Sequence, residues 1–332
     1  MILHLKYGID PDEAATLARE LNAVHLQKNG QAILITSSGI DSLEEKYQVL
    51  VDQSFVTDSD IQLASRFYRP ETREIKIGKN FIGGQHNTTL VITGPCSVES
   101  EGQIRKSAEL LVGLGLTTLR AGAYKPRTSP YTFQGLGLEG LKLLAKIREE
   151  YGLNIITEAK DATHIDSVIE YADIVQIGAK AMYDQGILKK AAKANKPVLL
   201  KRGFGSTLQE FVQAAEFLLS GGNEHVILCE RGIRTFETKT RFTLDLCGVA
   251  YLKQHVNLPV VVDPSHAMGY SYGVPDLARA ATAMGVDGLL IETHPDPRTA
   301  QSDGAQQLDH DTFKDLYHSL KNVAGAVGRT II

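Results

Sequence analysis

"NIITEAKDATHIDSVIEYADIVQIG", residues 154–178, decides the fold. It opens on "NIITEA", a short apolar run without clean alternation, the pattern of a strand covered on both faces. "DATHIDSVIEYA" follows as an amphipathic helix, and "DIVQIG" is a second strand of the first kind. The segment therefore reads as strand, helix, strand, with Glu158 at the end of one strand and Lys180 just past the other.

The same rhythm repeats on both sides. "TLVITG", "TTLRAG", "PVLLKR", "HVILCE", "LPVVVD" and "GLLIET" complete a set of eight strands, each followed by a helical pattern. Eight such units over about 240 residues predict a (β/α)₈ barrel spanning residues 89–332. A doubly wound open sheet is the alternative on pattern alone. Residues 1–60 read β-α-β-β-α-β: "ILHLK", a helical stripe of Ala14, Leu17, Ala18 and Leu21, "AVHLQ", "AILIT", a helix "DSLEEKYQ" capped by Asp41 or Ser42, and "VLVDQSFV". That order predicts a small ferredoxin-like α+β domain. Residues 61–88 read as a linker with a short hairpin punctuated by Gly78 and Gly83-Gly84.

Composition narrows the function. A net charge of -4 supplies no bulk attraction to nucleic acid or to an anionic membrane. The N-terminal residues lack the basic start and apolar core of a signal peptide, and no apolar run is long enough to span a bilayer. Three widely spaced cysteines, Cys96, Cys229 and Cys247, argue against a disulfide scaffold and for a reducing compartment. The expectation is a cytoplasmic protein, with Cys229 and Cys247 structural.

In a (β/α)₈ barrel, chemistry sits at the C-terminal ends of the strands. All eight ends carry polar or ionisable residues. Arg120, Lys125, Arg127, Lys180, Lys201, Arg202 and Arg231 form a basic set that suits an anionic ligand with more than one charged group. Pairing with Glu158, Glu230 or Glu292 is the bland alternative for any one of them. Cys96, His266, Glu292 and Asp303 come from strand ends 1, 7 and 8 and the loop after strand 8, which adjoin in a closed barrel. One thiolate, one imidazole and two carboxylates suit a divalent first-row metal. Taken singly, Cys96 reads as a small buried hydrophobe, His266 as a hydrogen-bonded core residue and Asp303 as a helix N-cap.

The motifs "GPCSVES", "LRAGAYKPRTSPYTFQGLG", "PVLLKRGFG", "LCERGIRTFE", "VVDPSHAMG" and "ETHPDPRTAQSDGAQQL" closely resemble those of 3-deoxy-D-arabino-heptulosonate 7-phosphate (DAHP) synthases. The type most similar is I beta, with an N-terminal ferredoxin-like regulatory domain. The resemblance is specific over residues 88–325 and loose over residues 1–60. It implies condensation of phosphoenolpyruvate with erythrose 4-phosphate, the first step of the shikimate pathway. It also implies one divalent metal ion per subunit, without choosing between Mn, Fe, Co and Zn, held by Cys96, His266, Glu292 and Asp303. Phosphoenolpyruvate would be held by Arg120, Lys125, Lys180, Lys201 and Arg231, and the phosphate of erythrose 4-phosphate by Arg127 and Thr128. Lys125, Glu158 and Asp263 are assigned the catalytic roles. Lys125 is expected to move a proton to the new hydroxyl with its pKa lowered by neighbouring cations. A homotetramer, with feedback by tyrosine or phenylalanine acting on the N-terminal domain, is also implied, and His25 is a candidate to face that effector.

One departure stands out. The family pattern after strand 4 has arginine where this chain has Lys180 in "IGAKAMYDQ". The alternatives are an octulosonate-type condensing synthase, against which "KPRTS" argues, a Schiff-base aldolase using Lys125, Lys180 or Lys201, and a non-catalytic paralogue.

Overall fold

The computed structural model describes residues 1–332 except Pro126 and Thr128. The N-terminal part holds β1 (Ile2–Leu5), a helix over Pro11–Glu20, β2 (Val24–Lys28), β3 (Gln31–Ile35), a short helix over Glu45–Gln48 and β4 (Val51–Phe55). Its antiparallel sheet has the order β2-β3-β1-β4, the ferredoxin-like arrangement. The first helix starts on Pro11, and the Asp10 side chain accepts from the amides of Asp12 and Glu13, satisfying two donors the helix itself cannot. The second helix is shorter than its sequence suggests. Its N-cap is Glu44, not Asp41 or Ser42, without a side-chain cap bond, and it buries no residue. With neither a cap nor a buried face, little more than one turn forms.

The small sheet is covered on both sides. Leu3, Leu5, Ala32 and Leu34 pack with Ala14, Leu17 and Ala18 of the first helix. Ile2, Ile33 and Ile35 on the other face join the large core together with Leu63. This two-sided burial is why β3 is buried at every position. Polar clasps reinforce the contact. Gln62 donates its side-chain amide to the Thr36 carbonyl (2.7 Å), and Glu216 accepts the amides of Gln62 (2.8 Å) and Ala64 (2.7 Å).

Next comes the expected hairpin, β5 (Glu74–Ile77) antiparallel to β6 (Asn80–Gly83). Ile75, Ile77 and Ile82 pack with Leu90, Ile92, Ile156, Ile174, Leu199, Ile227 and Val261, so the hairpin plugs the N-terminal end of the barrel.

The barrel strands are β7 (Thr88–Gly94), β8 (Thr118–Arg120), β9 (Asn154–Ala159), β10 (Ile174–Ile177), β11 (Val198–Lys201), β12 (Val226–Glu230), β13 (Val260–Val262) and β14 (Gly288–Glu292). Each lies where the sequence places it. All neighbours are parallel, and β14 pairs with β7 from Gly288↔Leu90 to Glu292↔Gly94. That closing ladder excludes the open sheet. A two-residue strand, β15 (Thr330–Ile331), adds in parallel beside β7; so short a run carries no periodicity for sequence reading to detect. Cys229 lies in the barrel interior, as a structural cysteine should. Among the described residues no helix is long and apolar enough to cross a membrane.

Candidate active site

Three strand ends bring the mixed donor set together. Cys96 follows β7, His266 lies on the short helix Pro264–Met268 after β13, and Glu292 ends β14. One ligand atom from each lies within 4.8 Å of the others. Asp303 joins them from the loop after β14, its Oδ2 accepting from Cys96 Sγ at 3.2 Å. Its backbone is left-handed (φ 49°, ψ 34°), rare for a residue with a Cβ, and its side chain caps nothing. The side chain is therefore spent on the cluster and not on a helix end.

The surroundings fit a cation. His266 Nδ1 meets Asp263 Oδ2 at 2.8 Å, which fixes the ring and turns Nε2 toward Glu292 Oε1, 3.6 Å away. Burial pulls the imidazole pKa down, so the ring keeps a lone pair. Burial alone would raise the Asp303 carboxyl, but His266, Lys125 and Arg241 hold it below its usual value. The Cys96 thiol is pushed up to about 12 by burial and then by Glu292, so it ionises at neutral pH when a cation offsets that negative charge. One sulfur, one nitrogen and one carboxylate in mutual reach, with the Asp303 carboxylate beside the sulfur, suit a first-row divalent ion.

Beside this cluster opens a cavity of about 610 Å³. Of the expected site residues, Lys125, Arg127, Glu158, Lys180, Lys201, Arg231, His266 and Asp303 line it. Cys96, Arg120, Asp263 and Glu292 lie behind that lining and reach it through their contacts. Lys125 Nζ sits 3.0 Å from Cys96 Sγ and 3.2 Å from the Cys96 carbonyl. Arg120 Nη1 donates to Glu292 Oε1 at 2.7 Å, and Lys201 Nζ to Asp263 Oδ2 at 2.6 Å. Arg231 is 4% exposed and stacks on Phe242 at 4.3 Å, with no carboxylate in ion-pair range among the described residues. A buried guanidinium without a protein counter-ion is a strong anion site. Glu158 accepts from Gln176 Nε2 at 2.6 Å, and a Cβ at Gly178 would meet Glu158 Oε1 at 2.2 Å, so only glycine admits that carboxylate. Lys180 reaches the cavity from the 3₁₀ turn Ala179–Ala181. Arg127 bonds Thr132 Oγ1 through Nε at 3.3 Å, while Thr128 lies outside the described residues.

Three expectations need correction. Arg202 is not an anion receptor: it pairs, buried, with Glu230 (2.9 Å) and Asp245 (2.8 Å). Asp263 does not face the cavity; it is 0% exposed and wedged between Lys201 and His266, which makes it a positioning group. The pKa of Lys125 is raised, not lowered: burial opposes its charge, but Cys96 and Glu158 outweigh both that and Arg120. Sequence reading also missed Arg234, Arg241, Phe204 and Phe242, which line the cavity. "RGIRTFETKTRF" carries four cations, Arg231, Arg234, Lys239 and Arg241, against one acid, Glu237, with Glu230 just before it already paired to Arg202, but only folding shows which of them turn inward.

A closed barrel whose mouth sets cations beside a convergent donor cluster defines an enzyme for anionic substrates. The comparisons with known proteins are specific. The model of the DAHP synthetase I family matches residues 70–328, and the chain belongs to that family. A phospho-2-dehydro-3-deoxyheptonate aldolase of Thermotoga maritima is 43% identical over 336 residues, covering 99% of each chain. A crystal structure of a Thermotoga maritima phospho-2-dehydro-3-deoxyheptonate aldolase (DAHP synthase) superposes with a TM-score of 0.81 at 40% identity, covering 100% of this chain and 99% of that one. A 2-dehydro-3-deoxyphosphooctonate aldolase of Thiobacillus denitrificans is 31% identical over 269 residues, 75% of this chain and 94% of that protein. The heptonate similarity thus includes the N-terminal part, and the octulosonate similarity covers three quarters of the chain. As a family member the chain is an enzyme of the transferase class.

Proposed function

We propose that the barrel mouth condenses phosphoenolpyruvate with erythrose 4-phosphate to give DAHP and phosphate. The observation that carries this reading is an anion site at Arg231, Lys201 and Lys125 on the cavity that the Cys96, His266 and Glu292 cluster reaches through His266. Arg120, Lys125, Lys180, Lys201 and Arg231 hold the carboxylate and phosphate of phosphoenolpyruvate. Arg127, with Thr128, takes the second phosphate. Cys96, His266, Glu292 and Asp303 would hold a divalent ion, which when bound would supply Lewis-acid polarisation of the aldehyde. The cations align C3 of phosphoenolpyruvate with the aldehyde carbon, which lowers the entropic part of the barrier. Lys125, kept protonated, delivers its proton to the oxygen that becomes the new hydroxyl. Water then adds at C2, and phosphate leaves with cleavage of its C–O bond. Glu158 faces the reacting carbons from β9. Asp263 holds Lys201 and His266 in place.

Residues 1–60 act in this reading as a regulatory domain, 61–88 as its connection and 89–332 as the catalytic barrel. The burial of the small sheet against the barrel supports coupling between the two. Tyrosine or phenylalanine is the proposed effector, and His25, whose buried Nε2 has no hydrogen-bond partner, is the group proposed to face it. A cytoplasmic homotetramer completes the proposal, on the strength of the family.

Phosphate release with phosphoenolpyruvate and a panel of four- and five-carbon sugar phosphates, with and without chelator, tests the reaction. The expected result is chelator-sensitive turnover with erythrose 4-phosphate. Preference for a five-carbon sugar would favour the octulosonate reaction, and trapping of substrate by borohydride would favour a Schiff-base aldolase.

A further inference from the structure

We infer that Arg241 is a positioning residue for the metal-ligand set, tying the loops after β12, β13 and β14 into one frame. The inference rests on reading Cys96, His266, Glu292 and Asp303 as that set.

The bonds run in sequence. Arg241 Nη1 donates to Gln306 Oε1 at 2.6 Å and lies 3.6 Å from Asp303 Oδ1. With its oxygen engaged by a guanidinium, the Gln306 amide must present its NH₂ group on the other side. That group donates to Glu292 Oε2. Glu292 Oε1 meanwhile takes Arg120. Both oxygens of one ligand are thus oriented, one of them through Arg241, and a second ligand, Asp303, lies directly beside the same guanidinium. The main chain at Arg241 is fastened as well. Its amide donates to the Met268 carbonyl (3.1 Å), and the Phe242 amide to that of Ala267 (2.9 Å), on the helix that carries His266. The approach is close enough to require glycine at 269: φ is +78°, and a Cβ there would meet Arg241 Cβ at 2.5 Å. Arg241 lines the cavity, so direct substrate contact is the competing role. Its guanidinium, however, already faces the amide that holds one ligand and the carboxylate of another.

Partners that orient metal ligands typically change metal affinity by about 10–100-fold when removed. The test is Co²⁺ titration of the apoproteins, followed by the thiolate charge-transfer and d–d bands. Arg241→Gln should bind Co²⁺ about 10–100-fold more weakly, with altered d–d bands. Arg241→Lys should recover part of the affinity. Gly269→Ala, which crowds the same side chain, should weaken binding in the same direction, and it carries the test with Arg241→Lys if Arg241→Gln does not fold. KM for phosphoenolpyruvate at saturating metal should change little in each. Unchanged Co²⁺ affinity and spectrum in Arg241→Gln would overturn the inference, and a raised KM beside them would assign Arg241 to substrate. Absence of Co²⁺ binding by the unmodified protein would overturn the ligand-set reading together with it.

Discussion

Arg120 and Glu292 come from β8 and β14, the two strands that flank β7, and Arg120 Nη1 meets Glu292 Oε1 at 2.7 Å with both side chains buried. One belongs to the proposed phosphoenolpyruvate grip and the other to the proposed ligand set, so the pair joins the two halves of the site. Burial alone would raise the Glu292 carboxyl and lower the guanidinium. For Glu292, His266 and Arg120 overcome burial and keep the carboxyl ionised; for Arg120, Glu292 and Cys96 do so and keep the guanidinium charged.

Removing one partner leaves the other as an unpaired buried charge. Glu292→Ala should cost about 3–5 kcal/mol of stability in the chelated protein and abolish turnover. Urea unfolding with chelator present measures the first, and phosphate release the second. An apoprotein as stable as the parent would show that the pair is solvated.

Cys96→Ala removes the soft donor and the thiol contact of Lys125, leaving its contact with the residue 96 carbonyl. Turnover should fall at least about a hundredfold, and the chelator should no longer matter to what remains. Chelator-resistant turnover at the parent rate would refute metal dependence.

Lys180→Arg restores the family pattern. A guanidinium fork should lower KM for phosphoenolpyruvate several-fold while kcat changes little. Steady-state kinetics with both substrates provide the check, and an unchanged or higher KM rejects the fork as the reason arginine is usual there.

Glu216 supplies a pH signature. Burial, opposed by the amides of Ala64 and Gln62, raises its carboxyl from 4.5 to about 7. Between those values the folded state binds more protons than the unfolded one. Stability therefore falls as pH rises through this window, by up to roughly 3 kcal/mol for this group. Glu216→Gln should lose that slope; parallel pH–stability curves for the two proteins would show that the carboxyl is not shifted.

Deleting residues 1–60 should leave catalysis and remove feedback inhibition. It should also lower Tm, because the apolar residues that pack on Ile2, Ile33 and Ile35, Leu63 among them, become exposed. Inhibition that persists in the truncated protein would move the effector site onto the barrel.

The sequence by itself determined the barrel. Eight Val-, Ile- and Leu-rich runs at regular spacing report burial on both faces, a local property that survives without coordinates. It placed the candidate residues at the strand ends as well, because those ends are set by that same count, but not Phe204, Arg234, Arg241 and Phe242, which reach the cavity from loops. Tertiary structure decided what each of them does there. Arg202 and Arg231 are adjacent in type and place on the list of cations, yet one is neutralised by Glu230 and Asp245 and the other rests on Phe242 without a carboxylate. Asp263 became a positioning group because Lys201 and His266 close around it. The pKa of Lys125 goes up because Cys96 and Glu158 reach it from other strands. Charge pairing depends on distances of a few ångströms between segments far apart in the chain, and the Coulomb energy that decides it has no trace in local periodicity.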